Sequence, residues 1–264
     1  METLQLGRDK HQVPSTWNEL TRRQLLRVLP ELVAKRPGQR LRLLSLLSGF
    51  ALPRLAVQGE VVLSQLLPLT DFLFSEEHHL TEQLLPTVRP HWLLPDYHGP
   101  RSHFRNLTFG EFIFADTFFV LYHQHQDAQY LDKFLAVLYR PRLRGVRTLH
   151  HTYGGDVREP FNEHLLPHRA SILRRISRPE KAAILAWYRG CRAQLQAEFP
   201  AVFDAGEEDA KEQKRQAPDW GRVLRKLSGG AFGTVQQTSG QPLRLLMAEL
   251  HDAAEDYEKR KSIK

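Results

Sequence analysis

Four histidines in one stretch of the chain carry side chains that could bind a metal ion. They are His150, His151, His164 and His168, in the segment HHTYGGDVREPFNEHLLPH. His164 and His168 are four residues apart, a spacing that places two imidazoles on one face of a helix. Pro167 lies between them and opposes a continuous helix, and the segment has no H-E-x-x-H motif. A histidine-based metallohydrolase is therefore only an alternative, and we predict no metal site and no cofactor.

The segment LSGGAFGTV, residues 227–235, is similar in sequence to the glycine-rich loop that protein kinases fold over ATP phosphates. That loop needs G-x-G-x-x-G between two strands, because backbone amides must approach the phosphates closely. Ser228 occupies the first glycine position, and the chain has no V-A-I-K, H-R-D or D-F-G motif. We predict a glycine cap at the end of a helix instead, at Gly229 or Gly230. Since no other catalytic motif is present, we predict that the protein is not an enzyme.

Arginine is concentrated in the middle of the chain. Residues 140–178 contain nine arginines and three acidic residues, a net charge of +6 in a chain of net charge +7. Guanidinium groups bind phosphates and carboxylates through paired hydrogen bonds, so this segment could bind nucleic acid or an acidic protein surface. The alternative is a solvated basic loop without a specific ligand. The candidate binding residues are Arg140, Arg142, Arg144, Arg147 and Arg158.

The pattern along the rest of the chain is mostly helical. Thr16 and Glu19 have the spacing of a capping box and predict the start of the first helix, which Pro30 should kink or split. A second run of leucines at helical spacing should end at Gly49. Several short helices are expected in the leucine- and proline-rich residues 52–90.

Capping signals mark the strongest helices. Thr108, with Glu111 as its capping-box partner, predicts the start of an aromatic helix. A second helix should begin at Asp127 and pack against the first. Ser177 predicts the start of a third, longer helix. The side chains expected to face inward are Phe112, Ala115, Phe118, Phe119, Leu121, Tyr122, Leu131, Phe134, Leu135, Leu138, Ile184, Trp187, Tyr188, Cys191 and Leu195.

These signals predict a mainly α fold, an irregular multi-helix bundle without clean alternating strands. A helical core domain should cover residues 1–203, and a charged linker with few apolar residues should follow at 204–218. A C-terminal helical segment should occupy residues 219–264. A long arginine- and glycine-rich loop is expected within residues 141–167.

The composition is that of a soluble globular protein, with 41% hydrophobic and 25% charged residues among 264. The first residues lack the basic and then apolar pattern of a signal peptide. No apolar run reaches the roughly 20 residues that cross a bilayer. The single cysteine excludes an internal disulfide and a multi-cysteine metal site. We therefore predict a cytoplasmic protein that does not associate with membranes.

Several short segments together resemble a known group of proteins. They are WNELT, GPRSHFRNLTFGEFIFAD, LAVLYRP, WYRGCR, FPAVF and GAFGTVQQT. In these the chain resembles uncharacterised proteins of bacterial prophages and phage-like tail gene clusters, among them tail-assembly-chaperone-like chains. The resemblance implies an assembly or interaction protein without chemistry of its own, and it carries over no catalytic residue.

The leading interpretation is a non-enzymatic interaction or assembly protein. Its expected partner is another protein, a structural component of a phage-like particle. A different class remains open, a nucleic-acid-binding module that uses the basic residues 140–178. The histidine-based metallohydrolase is the third alternative.

Overall fold

The computed structural model describes residues 1–75, 79–145, 155–204, 220–230 and 232–262. These ranges hold twelve α-helices and five short strands, which confirms the prediction of a mainly α fold. Contacts divide the chain into two compact units, residues 1–85 with 177–191 and residues 86–176 with 192–264. These limits differ from the predicted core domain and C-terminal segment. The predicted linker lies outside the described residues from 205 to 218 and stays a prediction.

The first unit opens with a β-hairpin that the sequence analysis did not predict. β1 (Glu2–Leu6) and β2 (Asp9–Val13) pair antiparallel. Gly7 is the first of the two turn residues and has a φ of +64°, a conformation that short hairpin turns give to glycine. The buried side chains of the hairpin are Leu4, Leu6 and Val13. Each strand has only five residues, so its alternation of buried and exposed side chains is too short to stand out in a sequence dominated by helical periodicity.

The helices of the first unit that follow are α1 (Arg22–Ala34), α2 (Gln39–Ser48), α3 (Leu52–Ala56) and α4 (Glu60–Leu66). Short helices were predicted beyond residue 52, and α3 and α4 confirm them. α2 ends at Gly49 as predicted, with a φ of +75° at that glycine. Pro30 lies inside α1 and does not end it.

The predicted capping box of the first helix was wrong. Thr16 precedes only a single 3-10 turn, Trp17–Glu19, and its side chain caps no backbone N–H. Leu20 is extended, so the chain leaves the helical conformation before α1 begins. The actual capping box is formed by Thr21 and Gln24. Such a cap is worth about 1 kcal/mol of helix stability.

The long helix α8 (Arg178–Glu198) begins where Ser177 predicted. The Ser177 hydroxyl accepts a hydrogen bond from the backbone N–H of Glu180 at 3.4 Å. The predicted inward-facing residues are buried, namely Ile184, Trp187, Tyr188, Cys191 and Leu195. Residues of α8 up to Cys191 belong to the first unit, and the rest belong to the second.

An irregular segment around Thr81 is held by α8 within the first unit. Trp187 Nε1 donates a hydrogen bond to the Thr81 carbonyl at 3.1 Å, and Cys191 Sγ donates to the same oxygen at 3.4 Å. At Gly190 a Cβ atom would lie 2.2 Å from the carbonyl oxygen of Leu80. The absence of a side chain at this glycine therefore allows the two backbones to come together.

The core of the second unit is a pair of packed helices, α5 (Phe109–His125) and α6 (Ala128–Leu138). Thr108 and Asp127 cap them with their side chains, as predicted. The rings of Phe119 and Phe134 lie 5.9 Å apart between the two helices. α7 (Leu166–Leu173) packs against α6. A small antiparallel sheet in the order β3 (Thr87–Val88), β4 (Tyr97–His98), β5 (Arg140–Pro141) completes this part.

The C-terminal helices are α9 (Pro200–Asp204), α10 (Trp220–Leu227), α11 (Val235–Ser239) and α12 (Leu243–Ser262). They pack into the second unit rather than standing apart from it. Trp220 is buried and its Nε1 donates to Asp116 Oδ2 at 2.9 Å. The backbone N–H of Phe109 donates to the Gln241 carbonyl, and Leu246 and Met247 are fully buried.

Candidate functional site

A cluster of four charged side chains lies in the second unit, three of them buried and the fourth, Asp156, 29% exposed. Glu111, in the first turn of α5, accepts hydrogen bonds from Arg140 Nη2 at 2.7 Å and Arg158 Nη2 at 3.0 Å. Arg158 also contacts Asp156, with Nη2 at 2.7 Å from Oδ2. The exposed fraction of the side chain is 1% for Arg140, 0% for Arg158 and 4% for Glu111. Two arginines and two carboxylates give this cluster a net charge of zero.

Burial and mutual attraction oppose each other in this cluster. Burial raises the pKa of Asp156, but the hydrogen bond from Arg158 and its positive charge outweigh this effect, so the pKa lies below its usual value. Burial lowers the pKa of Arg140, and the Glu111 charge compensates only in part. Burial also acts to lower the pKa of Arg158, yet Glu111 and Asp156 together raise it. The two carboxylates balance the charge of the two guanidinium groups within the protein, and removing one member would leave a buried charge uncompensated.

The structure corrects part of the predicted arginine site. Arg140 and Arg158 were predicted to bind a polyanion, but they are buried and paired with Glu111. Neither guanidinium reaches solvent without breaking that pairing. Arg142 and Arg144 are exposed, and their role stays a prediction. Arg147 lies outside the described residues.

Glu111 was predicted in the wrong role. The Thr108 side chain accepts from the Glu111 N–H, but the Glu111 carboxylate points to the two arginines instead of the cap. The sequence FGEFIFADTFF contained a signal for the buried role of Glu111, because its two acids are surrounded by apolar residues. A buried carboxylate needs a cationic or hydrogen-bonding partner. The other acid in that sequence, Asp116, likewise accepts a hydrogen bond from Arg192 Nε at 2.6 Å.

The histidines do not assemble into a site among the residues that the structure describes. His164 lies in a 3-10 turn and His168 in α7, whereas His150 and His151 lie outside the described residues. Within the described ranges, no group of three or more His, Cys, Asp or Glu side chains could hold a metal ion.

The glycine stretch follows a helix end, as predicted. α10 ends at Leu227, and Gly229 adopts a φ of +88° just beyond it. The Gly229 N–H donates to the Gly233 carbonyl at 2.8 Å, which closes a turn. A positive φ after the last helical turn is the usual conformation of a glycine cap.

The connection between β3 and β4 presents two large apolar side chains to solvent. Trp92 is 76% exposed and Leu93 is 67% exposed. The base of this connection is fixed by the β3–β4 pairing and by an ion pair between Arg89 Nε and Asp96 Oδ1 at 2.6 Å. The backbone N–H of Leu94 donates to the His91 carbonyl at 3.0 Å and closes the tip. We call residues 89–96 the Trp92 hairpin tip.

None of the helices described is long and apolar enough to cross a lipid bilayer. Comparisons of this chain with protein-family models, with curated proteins and with solved structures find no match. The resemblance to prophage and tail-cluster proteins therefore stays a prediction, and the arrangement of side chains is the basis for any statement on function.

Proposed function

We propose that the protein is a non-enzymatic interaction protein that binds another protein through the Trp92 hairpin tip. The observation that carries the proposal is the exposure of Trp92 and Leu93 side by side on an anchored turn. Aromatic residues, tryptophan above all, are enriched among the few residues that dominate protein–protein binding energy.

The anchoring of the tip matters as much as its exposure. The β3–β4 pairing and the exposed Arg89–Asp96 ion pair, worth at most about 1 kcal/mol, favour the folded turn before a partner binds. A partner then loses less free energy in ordering this segment, because the turn is already favoured. The complementary surface on the partner is an apolar pocket that accepts an indole ring.

The resemblance to phage-tail-cluster proteins indicates which partner to test first, a structural component of a phage-like particle. An assembly chaperone has to hold such a component through an apolar contact and release it later. A binding surface of two apolar side chains, smaller than a standard interface, suits reversible binding.

The test is capture of a partner from the native host by tagged protein, read by mass spectrometry. Trp92→Ala and Leu93→Ala should each reduce recovery of a specific partner about tenfold or more, since a central anchor is worth 2 kcal/mol or more. Leu245→Ala is the matched control, because Leu245 on α12 is also an exposed leucine, at 52%. Equal recovery with wild type and Trp92→Ala protein would refute the proposal.

A second candidate function is nucleic-acid binding by the exposed Arg142 and Arg144. Both are exposed and follow the β5 strand directly in the chain. Phosphate contacts would make binding steeply dependent on salt. Replacing both arginines with glutamate should weaken binding to all nucleic-acid sequences alike, and unchanged binding would remove this candidate.

A further inference from the structure

A groove of about 380 Å³ lies between α1 and α2 in the first unit. The side chains and backbone that line it are Thr21, Arg23, Gln24, Arg27, Leu46 and Gly49. Arg23 and Arg27 are both exposed. They are four residues apart on α1, which places them on the same face about 6 Å apart along the helix axis.

The surrounding segment is the most basic part of the first unit. Residues 21–58 contain eight basic residues and one acid, a net charge of +7. The acid, Glu31, lies 3.7 Å from Arg42. Three other arginines of the segment are paired with acids elsewhere in the unit: Arg22 with Glu180, Arg40 with Asp71 and Arg54 with Asp9.

Four basic residues of the segment form no ion pair within the ranges that the structure describes, namely Arg23, Arg27, Lys35 and Arg36. Of these, only Arg23 and Arg27 line the groove. Two like charges one helical turn apart repel each other. A bound anion would remove that repulsion. An anion on the floor of the groove, between the two helices, would lie close to both guanidinium groups.

The groove is held in shape by hydrogen bonds that leave the two arginines free. Gln24 Nε2 donates to the Leu47 carbonyl at 2.8 Å and so ties α1 to the end of α2. Thr21 and Gln24 form the capping box that starts α1. The polar groups of the walls are therefore used within the fold, and the arginine side chains remain as the donors for a ligand.

We propose that this groove binds a nucleic-acid strand through its phosphates. The lining carries two positive charges and no acidic side chain, and Leu46 is its one apolar side chain. The cores of protein–protein interfaces are depleted of charged residues, whereas nucleic-acid interfaces are strongly positive. Arginine forks bind successive phosphates without reading the bases, so the binding is independent of sequence. The proposal rests on the first unit and does not depend on the Trp92 hairpin tip.

The test is fluorescence anisotropy of a labelled single-stranded oligonucleotide of mixed sequence with the full chain. Wild-type protein should bind at about 50 mM salt and lose affinity steeply at about 200 mM. The double variant Arg23→Gln with Arg27→Gln should bind about tenfold more weakly or worse, with a salt slope reduced by about 1.4. Arg23→Lys with Arg27→Lys keeps both charges and should keep the slope.

The matched control is Arg225→Gln with Lys226→Gln, which removes two exposed charges from one turn of α10. It should bind the oligonucleotide like wild type. Thermal unfolding of every variant should be measured as well, to check that each one is folded. The proposal is overturned if wild-type protein does not bind at low salt, if the control weakens binding as much, or if polyglutamate of equal charge competes as well as the oligonucleotide.

Discussion

Replacing Glu111 with glutamine should destabilise the second unit strongly. The substitution keeps the size of the side chain but removes the negative charge that Arg140 and Arg158 both contact. Asp156 then remains as the only carboxylate of the cluster for two buried guanidinium groups. Breaking a buried ion pair from one side costs about 3–5 kcal/mol, because the other charge is left uncompensated. That is a large part of the roughly 5–15 kcal/mol by which a domain is stable.

The assay is guanidinium and thermal unfolding of the full chain. We expect Tm to fall by about 6–20 °C, from about 2–4 °C for each kcal/mol in a chain of this size. Glu198→Gln is the control, since Glu198 pairs with Arg244 at a site that is about one-third exposed. Such a pair is worth at most about 1 kcal/mol.

A second variant separates loss of charge balance from loss of packing. Adding Arg140→Met to Glu111→Gln removes the one uncompensated positive charge, since Asp156 still pairs with Arg158, while it keeps most of the side-chain volume. The double variant should therefore be more stable than Glu111→Gln alone. A Glu111→Gln loss no larger than that of Glu198→Gln, or a double variant less stable than the single one, would refute the reasoning.

Two further predictions concern a close contact and pH. Gly190→Ala should destabilise the first unit, because the added Cβ would lie 2.2 Å from the Leu80 carbonyl oxygen. This clash should outweigh the advantage of about 1 kcal/mol that alanine has over glycine in a helix. A higher Tm of the variant would contradict this contact. Burial lowers the pKa of His98, and Arg142 lowers it further. The stability that depends on neutral His98 should therefore be present above about pH 6.5 and decrease as the pH falls through its folded pKa. Arg142→Gln should raise that pKa in an NMR titration, and an unchanged value would exclude Arg142 as a cause.

Helices with strong local signals could be predicted from the sequence alone. Ser177 and the apolar spacing from Ile184 to Leu195 define α8, and both the start and the buried face agree with the structure. Thr108 and Asp127 locate the starts of α5 and α6 equally well. In each case the information is local, since a cap and a 3.6-residue period act within one helix.

Pairings between distant residues could not be predicted in the same way. Arg140 and Arg158 share Glu111 although 29 and 47 residues separate them from it. A run of arginines looks the same in sequence whether its members face solvent or a buried carboxylate. The groove between α1 and α2 could not be predicted for a related reason. The sequence shows the net charge of residues 21–58, but it does not show which of these arginines pair with distant acids of the unit and which stay unpaired at the surface.

The division of the first unit along the chain has a consequence for biosynthesis. Residues 1–85 leave the ribosome well before residues 177–191. The hydrogen bond from Trp187 to the Thr81 carbonyl can therefore form only after Trp187 has been synthesised. The 106 residues from Leu85 to Cys191 take about 5–20 s to synthesise at 5–20 residues per second. During that interval the apolar surfaces that α8 later covers are open to other chains and to chaperones. The nascent protein is therefore most prone to aggregation in the middle of translation, between residues 85 and 191, and slow codons between the two segments should lower its soluble yield.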